Sequence, residues 1–174
     1  MDLLLNNIFN IQLLLESGGV VLVLILIASV LMWTMLIERY LFVYFIYPKQ
    51  DKKTINEWQQ RNDRSSWYAH KIREGLIAEN SAALRHYLMP IQTLIVALPM
   101  LGLLGTVDGM IQTFDVLTVF GTGNARGMAG GISVALITTM GGLLAALSGM
   151  YFSTHLEQRV TRTVGNLADA LRRN

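Results

Sequence analysis

A stretch of 28 residues without a charged side chain, from 127 to 154, constrains the fold of this chain more than any other feature. A helix needs only about 20 apolar residues to cross a hydrocarbon layer about 30 Å thick, so the stretch predicts a transmembrane helix. Small side chains recur along it in steps of three or four and therefore share one face; they are Gly127, Gly131, Ala135, Thr138, Gly142, Ala145 and Gly149. Membrane helices associate where small side chains let backbones approach. This face is therefore predicted to pack against other helices.

The composition agrees with a membrane protein. Hydrophobic residues make up 52% of the chain and charged residues 15%, against about 25% charged residues in an ordinary soluble domain. The absence of cysteine excludes disulfides and Cys-ligated metals, and the three histidines are too widely spaced to predict a metal site. A net charge of +2, without basic residues interleaved with aromatics, argues against nucleic-acid binding. We predict no cofactor and no metal.

Two further uncharged runs predict two more membrane spans. Residues 20–37 form a run of 18 uncharged residues, and residues 87–107 form a run of 21. The second run contains Pro90 and Pro99, which membrane helices tolerate when neighbours satisfy the freed backbone groups. Only a short turn, at 120–127, separates the second and third spans, so these spans should form a helical hairpin.

The polar segments are predicted to form amphipathic helices. Between 49 and 85, apolar residues fall at helical spacing: Ile55, Trp58, Tyr68, Ile72 and Leu76. Asn80 or Ser81 is expected to cap the helix that leads into the second span. The C-terminal tail repeats apolar residues at the same spacing: Leu156, Val160, Val164, Leu167 and Leu171.

Lys and Arg residues predict the orientation. Eight lie between 49 and 85 and four lie in the tail, against one in the short turn and none before the first span. By the positive-inside rule, the middle segment and the tail are cytoplasmic and the N-terminus is outside. The predicted fold is an all-α polytopic membrane protein, N-out and C-in, extended into the cytoplasm. Its segments are an amphipathic periplasmic helix 1–17, spans 18–47, 87–119 and 128–154, a cytoplasmic helical segment 48–86, a periplasmic turn 120–127 and a cytoplasmic tail 155–174.

No enzyme signature is present in the sequence. Residues 102–109 are glycine-rich but lack the Lys-Ser/Thr ending of a phosphate loop. Gly102, Gly105 and Gly109 are predicted instead to pack the second span against the third. Ser153, His155 and Glu157 hold alternate positions, which do not face one another on a helix. We predict no catalytic site.

Three polar residues near the second and third spans are candidates for function. Thr106 and Thr139 could be brought close by an antiparallel pair of spans and relay or coordinate an ion; alternatively, each hydroxyl bonds to a carbonyl of its own helix and has no mechanistic role. Asp108 is an acid near the end of the second span. Its depth is open: a deep carboxylate would mark a proton site, whereas a carboxylate at headgroup level would not.

Two segments resemble the signatures of a known family. Residues 99–114, PMLGLLGTVDGMIQTF, resemble the P-x-x-G-L-x-G-T-V-x-G-[MI]-[IM]-x-x-F motif of the ExbB/TolQ/MotA proton-channel family, and residues 131–143 resemble its third-span motif. The three-span layout favours ExbB or TolQ over the flagellar stators of this family, and the chain is taken to be most similar to ExbB of a TonB system. The resemblance implies a pentameric ring in the bacterial inner membrane around an ExbD-like single-span partner, whose membrane aspartate binds the proton. Proton flow would then drive a TonB-like protein.

The resemblance also implies roles for particular residues. The family's two pore-facing threonines fall on Thr106 and Thr139, whereas Val134 stands where many relatives have an acid. An incoming carboxylate from a partner is then more necessary if protons pass. Two alternatives stay open: a TolQ-like subunit of the Tol-Pal envelope system, and a scaffold whose small-residue faces only hold subunits and lipids together.

Overall fold

The computed structural model describes residues 2–60, 66–121 and 124–171, and it describes side chains from residue 18 onward except for 48–52 and 59. The elements follow as α1 (Asp2–Leu41), a π-helical turn (Phe42–Ile46), α2 (Tyr47–Gln59), α3 (Trp67–Arg85), α4 (Leu88–Phe120) and α5 (Ala125–Ala170). The predicted all-α class is therefore confirmed across the described part of the chain.

The described residues contain three candidate membrane spans, as predicted. They lie within Gly18–Ile46, Trp67–Phe120 and Ala125–Ala170. α5 has 46 residues, about 69 Å at 1.5 Å per residue, which is more than twice the hydrocarbon thickness of a bilayer. The helix must therefore project well beyond the membrane. The predicted amphipathic character of residues 1–17 lies outside the side chains that the structure describes.

The path of the first span is irregular at both ends. Gly19 has a φ of 64° and a ψ of −166°, so α1 kinks there, and this left-handed φ is readily adopted only by glycine. At the other end the π-helical turn leads directly into α2, where Pro48 lies in the first turn. Pro48 does not end the helical path, because proline is tolerated in a first helical turn, where its missing N–H needs no partner.

The break between α3 and α4 lies later than expected. Neither Asn80 nor Ser81 caps a helix: Asn80 is buried inside α3 and its Nδ2 donates to the carbonyl of Leu76 at 2.8 Å. The chain turns instead at Tyr87, which has a φ of 65°. Pro90 explains this position, because proline belongs in the first turn of a helix and α4 begins at Leu88.

One compact unit comprises the chain up to Trp33 together with Thr93–Met150. Its buried apolar residues come from all three helices that contribute to it. They are Val21, Ile25 and Met32 of α1, Ile95 and Leu98 of α4, and Ala135 and Ala146 of α5.

The other unit comprises Thr34–Gln92 and the chain from Tyr151 onward. Trp58, Ala69, Leu167 and Leu171 form its core cluster, on which Ile55, Ile72 and Leu76 pack. The expected apolar face was therefore nearly right, but Tyr68 is 72% exposed and the adjacent Ala69 is buried in its place. Ser66 is the N-cap residue of α3, and its Oγ accepts a hydrogen bond from the N–H of Ala69 at 3.2 Å.

Candidate functional site

The small residues of α4 and α5 bring the two backbones into direct contact. A Cβ at Gly142 would lie 2.6 Å from the carbonyl oxygen of Leu98 and 3.0 Å from the Cα of Gly102. A Cβ at Gly109 would lie 2.7 Å from the backbone nitrogen of Ala135. A side chain at either glycine would therefore meet backbone, which cannot move aside as a flexible side chain can.

The predicted small-residue faces lie largely within this helix pair. Gly105 packs on Thr138 and Gly131 packs on Thr113, in antiparallel register with the contacts of Gly109 and Gly142. At the far end of the face, Gly149 packs on Met32 of α1. Gly127 and Ala145 are half-buried. Most of the face that we assigned to helix packing is thus occupied inside a single chain.

Two buried threonines in this contact bond to their own helices. Thr138 is completely buried, and its Oγ1 has its one hydrogen within reach of two acceptors, the carbonyls of Val134 and Ala135 at 2.9 and 3.0 Å. Thr113, which is 6% exposed, donates to the carbonyl of Gly109 at 2.9 Å. Because both hydroxyls are satisfied within one helix, they fill space in the contact without needing an external partner.

Thr106 and Thr139 lie at the edge of the same contact and are half-buried. The Oγ1 of Thr106 donates to the carbonyl of Leu103 at 2.6 Å. The Oγ1 of Thr139 lies 2.9 Å from the carbonyl of Ala135 and 3.3 Å from the carbonyl of Gly102 on α4. A hydroxyl has one hydrogen to donate, so Thr139 can exchange a bond within its helix for a bond across the pair.

Asp108 lies beside the kink at the start of the first span. Its Oδ2 accepts a hydrogen bond from the Nε2 of Gln112 at 3.0 Å, and it would lie 3.7 Å from a Cβ at Gly19. Gly19 immediately precedes the uncharged run 20–37. This neighbour supports placing Asp108 near the headgroups. We did not single out Gln112 from the sequence, although its spacing of four residues from Asp108 is the spacing at which helical side chains meet.

The residues of the rejected hydrolase arrangement are separated in the structure. Ser153 is 3% exposed. The Nδ1 of His155 lies 3.1 Å from the hydroxyl of Tyr40, and the Oε2 of Glu157 accepts from the Nε2 of Gln92 at 3.2 Å. Each group has a different environment, so the three do not act together.

Sequence reasoning missed two arginines that stabilise helix ends. Arg39 is 5% exposed, and its Nη2 donates to the carbonyl of Ala83 near the end of α3. Arg73 donates from Nη2 to the carbonyl of Ala168 near the end of α5 at 2.9 Å. Carbonyls in the last turn lack partners within their helix, and cations are favourable there. The only available signal was the position of Arg39 at the end of an apolar run.

Comparison with known proteins points to one family. A sequence model described as the MotA/TolQ/ExbB proton channel family matches residues 48–169. Two Synechocystis sp. proteins, named biopolymer transport protein ExbB-like 3 and ExbB-like 1, are similar to this chain. The first is 42% identical over 64 residues, covering 36% of this chain and 30% of the relative. The second is 47% identical over 60 residues, covering 33% of this chain and 24% of the relative.

A protein of Methanothermobacter thermautotrophicus named biopolymer transport protein ExbB homolog is also similar. It is 43% identical over 70 residues, covering 40% of this chain and 24% of the relative. The alignments therefore span less than a third of the length of each of these relatives.

Proposed function

The chain belongs to the MotA/TolQ/ExbB proton channel family, and from this premise we propose that it is an ExbB-like subunit of a proton-driven complex in the bacterial inner membrane. An ExbD-like single-span protein supplies the aspartate that binds the proton. The complex passes force to a TonB-like protein for import across the outer membrane. The chain acts by guiding protons and by moving relative to its partner, without covalent catalysis.

The position of two hydroxyls within the uncharged parts of α4 and α5 carries this proposal. Thr106 and Thr139 are half-buried beside the close contact of α4 and α5, and no acid lies in the uncharged runs 87–107 and 127–154. The Oγ1 of Thr139 already has two carbonyl acceptors within 3.3 Å. Its one hydrogen goes to either carbonyl, and its lone pairs are then able to accept a hydrogen bond from a protonated incoming carboxyl group. In this proposal the titrating carboxylate comes from another chain.

The lack of an internal acid supports the need for a partner. Val134 lies on α5 one turn before Thr138 and is half-buried. An apolar side chain is compatible with this partly buried position. A proton crossing the uncharged runs 87–107 and 127–154 meets no carboxylate within them, and Asp108 lies just beyond the first run, beside Gly19. A partner aspartate held beside the hydroxyls of Thr106 and Thr139 would provide one, at the energetic cost that makes intramembrane acids rare and functional.

The choice of an ExbB-like over a TolQ-like role rests on the similar proteins, which are named ExbB-like or ExbB homolog. The TolQ-like alternative uses the same proton path and differs in the protein that receives the force. Co-purification distinguishes the two: an ExbD-like protein together with a TonB-like protein supports import, whereas TolR-like and TolA-like proteins support the envelope role.

A non-conducting scaffold is a second candidate, and one observation favours it. The hydroxyls of Thr106 and Thr139 each bond to a carbonyl of their own helix, as a mechanistically silent threonine would. In a scaffold these bonds would be permanent. In a channel they are exchanged when the partner carboxylate arrives.

Proton flux into vesicles distinguishes the channel from the scaffold. The protein is purified with its single-span partner and reconstituted, and acidification is followed with a pH-sensitive dye under an imposed potential. Thr106→Val and Thr139→Val keep the side-chain shape but remove the hydroxyl, so we expect each to reduce flux about a hundredfold, the lower end of the range by which positioned proton-transfer groups act.

Thr138→Val is the matched control. It removes a hydroxyl that is fully buried and bonded to its own helix, so flux should stay near that of the unsubstituted protein. Equal flux in all three variants would remove the role of Thr106 and Thr139. An absence of flux in the unsubstituted complex, with assembly intact, would favour the scaffold.

A further inference from the structure

A basic groove lies on the C-terminal part of α5. Its volume is about 440 Å³, and it is lined by His155, Gln158, Arg159, Arg162, Thr163 and Asn166. The lining holds two arginines and no acid. Glu157, an acidic residue in the same part of α5, is not among the lining residues, and its Oε2 accepts a hydrogen bond from Gln92. The groove is thus suited to an anion.

The depth of the groove follows from the position of Arg159. Its guanidinium carbon lies 3.9 Å from the ring centroid of Tyr44. Tyr44 belongs to the aromatic run that follows the first span, and tyrosines concentrate at the boundary between hydrocarbon and headgroups. Helical side chains also lean toward the N-terminus of their helix, which for α5 is toward the third span. The arginines therefore reach back to headgroup level.

Apolar surface adjoins this groove on the membrane side. Tyr44, over whose ring the Arg159 guanidinium lies, is 45% exposed, and Leu41, three residues earlier along the helix, is 52% exposed. Beside them, Tyr40 connects to α5 because its hydroxyl donates to the carbonyl of Phe152 at 3.1 Å. An occupant that carries a negative head and apolar chains would match both surfaces, whereas an acidic peptide would leave the apolar surface uncovered.

We propose that the groove binds the headgroup of an anionic phospholipid. The phosphate lies between Arg159 and Arg162, which are neighbours at a spacing of three residues and whose planar guanidinium groups match phosphate oxygens. Gln158, Thr163 and Asn166 provide further polar groups for the glycerol and headgroup. The acyl chains cover Leu41 and Tyr44. This site is independent of proton conduction and would be present in a channel or in a scaffold.

Native mass spectrometry can test this site directly. The protein is released from nanodiscs that contain equal amounts of phosphatidylglycerol and phosphatidylcholine, which share acyl chains but differ in net charge. We expect phosphatidylglycerol to be retained preferentially. Arg159→Gln combined with Arg162→Gln should lower the ratio of retained phosphatidylglycerol to phosphatidylcholine at least about tenfold, given the attraction between each basic residue and anionic lipid.

Arg126→Gln is the matched control, because Arg126 is exposed near the opposite end of α5. This variant should retain the preference. If Arg159→Gln affects folding, Arg162→Gln alone supplies the test, since Arg162 is exposed and contributes only to the groove.

Three results would overturn the proposal. One is an unchanged lipid ratio in the double variant. Another is displacement of the lipid by millimolar inorganic phosphate, which would show that the groove binds a free anion. The third is a bound acidic polypeptide in place of lipid, which would assign the groove to a protein partner.

Discussion

At the scale of single residues, the glycines of this chain differ in what surrounds them. Gly142 and Gly109 lie against backbone, whereas Gly165 has nothing within 4 Å of the place where a Cβ would stand. The spacing of the small residues predicted the first group, because close packing of helices demands them at every turn. The spacing could not tell whether the contact lies within one chain or between chains.

Gly142→Ala is therefore expected to destabilise the hairpin. The added methyl group would lie 2.6 Å from the carbonyl oxygen of Leu98, so α4 and α5 would have to move apart, at a cost of about 1–3 kcal/mol as for other overpacked sites. Thermal unfolding in detergent, followed by circular dichroism, should show a lower midpoint.

Gly165→Ala is the control for the effect of alanine itself. Its Cβ meets no atom within 4 Å, and alanine in a helix interior is about 0.5–1 kcal/mol more favourable than glycine, so the midpoint should rise slightly. A higher midpoint for Gly142→Ala as well would contradict the close approach of the two backbones.

The hydroxyls show where sequence reasoning ends at this scale. The spacing of Thr106 and Thr139 left two uses open, and the register of α4 against α5 decides which atoms lie within reach. That register places the carbonyl of Gly102 at 3.3 Å from Thr139 while Thr106 bonds to Leu103. The two possible uses of these hydroxyls cannot be distinguished from the type or spacing of the two threonines alone.

At the scale of helices, apolar periodicity predicted the existence of the elements better than it predicted their ends. The break at Tyr87 illustrates this. A polar residue such as Asn80 is a good cap, but its side chain can also bond back to the preceding turn, as it does to Leu76. Pro90 carried the stronger signal, since proline suits the first turn of a helix, where its missing N–H needs no partner; Pro99, by contrast, lies inside α4 without ending it.

The end of α5 depends on a side chain from another helix. Arg73 of α3 donates to the carbonyl of Ala168 at 2.9 Å, and Ala168 lies in the last turn of α5. Trp58 and Ala69 pack around the same turn through Leu167 and Leu171. Such a contact depends on the tertiary arrangement of the helices, and no local pattern around Arg73 or Ala168 indicates it.

Arg73→Met should loosen the last turn of α5. The substitution keeps a long apolar stem but removes the donor to Ala168, at a cost of about 1 kcal/mol for one hydrogen bond. Hydrogen exchange at residues 167–171 should become about fivefold faster, while exchange in the middle of α5 is unchanged.

Lys71→Met is the control for this change on the same helix. Lys71 is exposed and its ion pair with Glu74, at 2.9 Å, is exposed as well, so its contribution is small. Exchange at the end of α5 should stay as in the unsubstituted protein. If both variants behaved alike, the cap on Ala168 would contribute nothing measurable.

At the scale of the whole molecule, the spans leave most of their surface outside the chain. Only 22 to 28% of the most apolar window of each span is buried, although the small-residue faces of α4 and α5 are already occupied by each other. Large apolar side chains such as Leu103, Leu136 and Leu144 remain exposed. Sequence periodicity predicted that the helices need neighbours, but the exposed faces can be covered by lipid or by other copies.

The mass of the protein in detergent shows whether the exposed faces are covered by other copies of the chain or by lipid. A ring of five copies would have a protein mass of about 97 kDa, because each chain is 19.4 kDa, and light scattering with refractive-index detection separates this mass from that of the detergent. We expect the larger mass, together with an increase when the single-span partner is co-expressed. Gly142→Ala, which disturbs the hairpin inside each chain, should lower the proportion of the ring because the outer faces of α4 and α5 would shift together. A single 19.4-kDa species would mean that lipid alone covers the exposed faces, and the proton path would then have to lie within one chain.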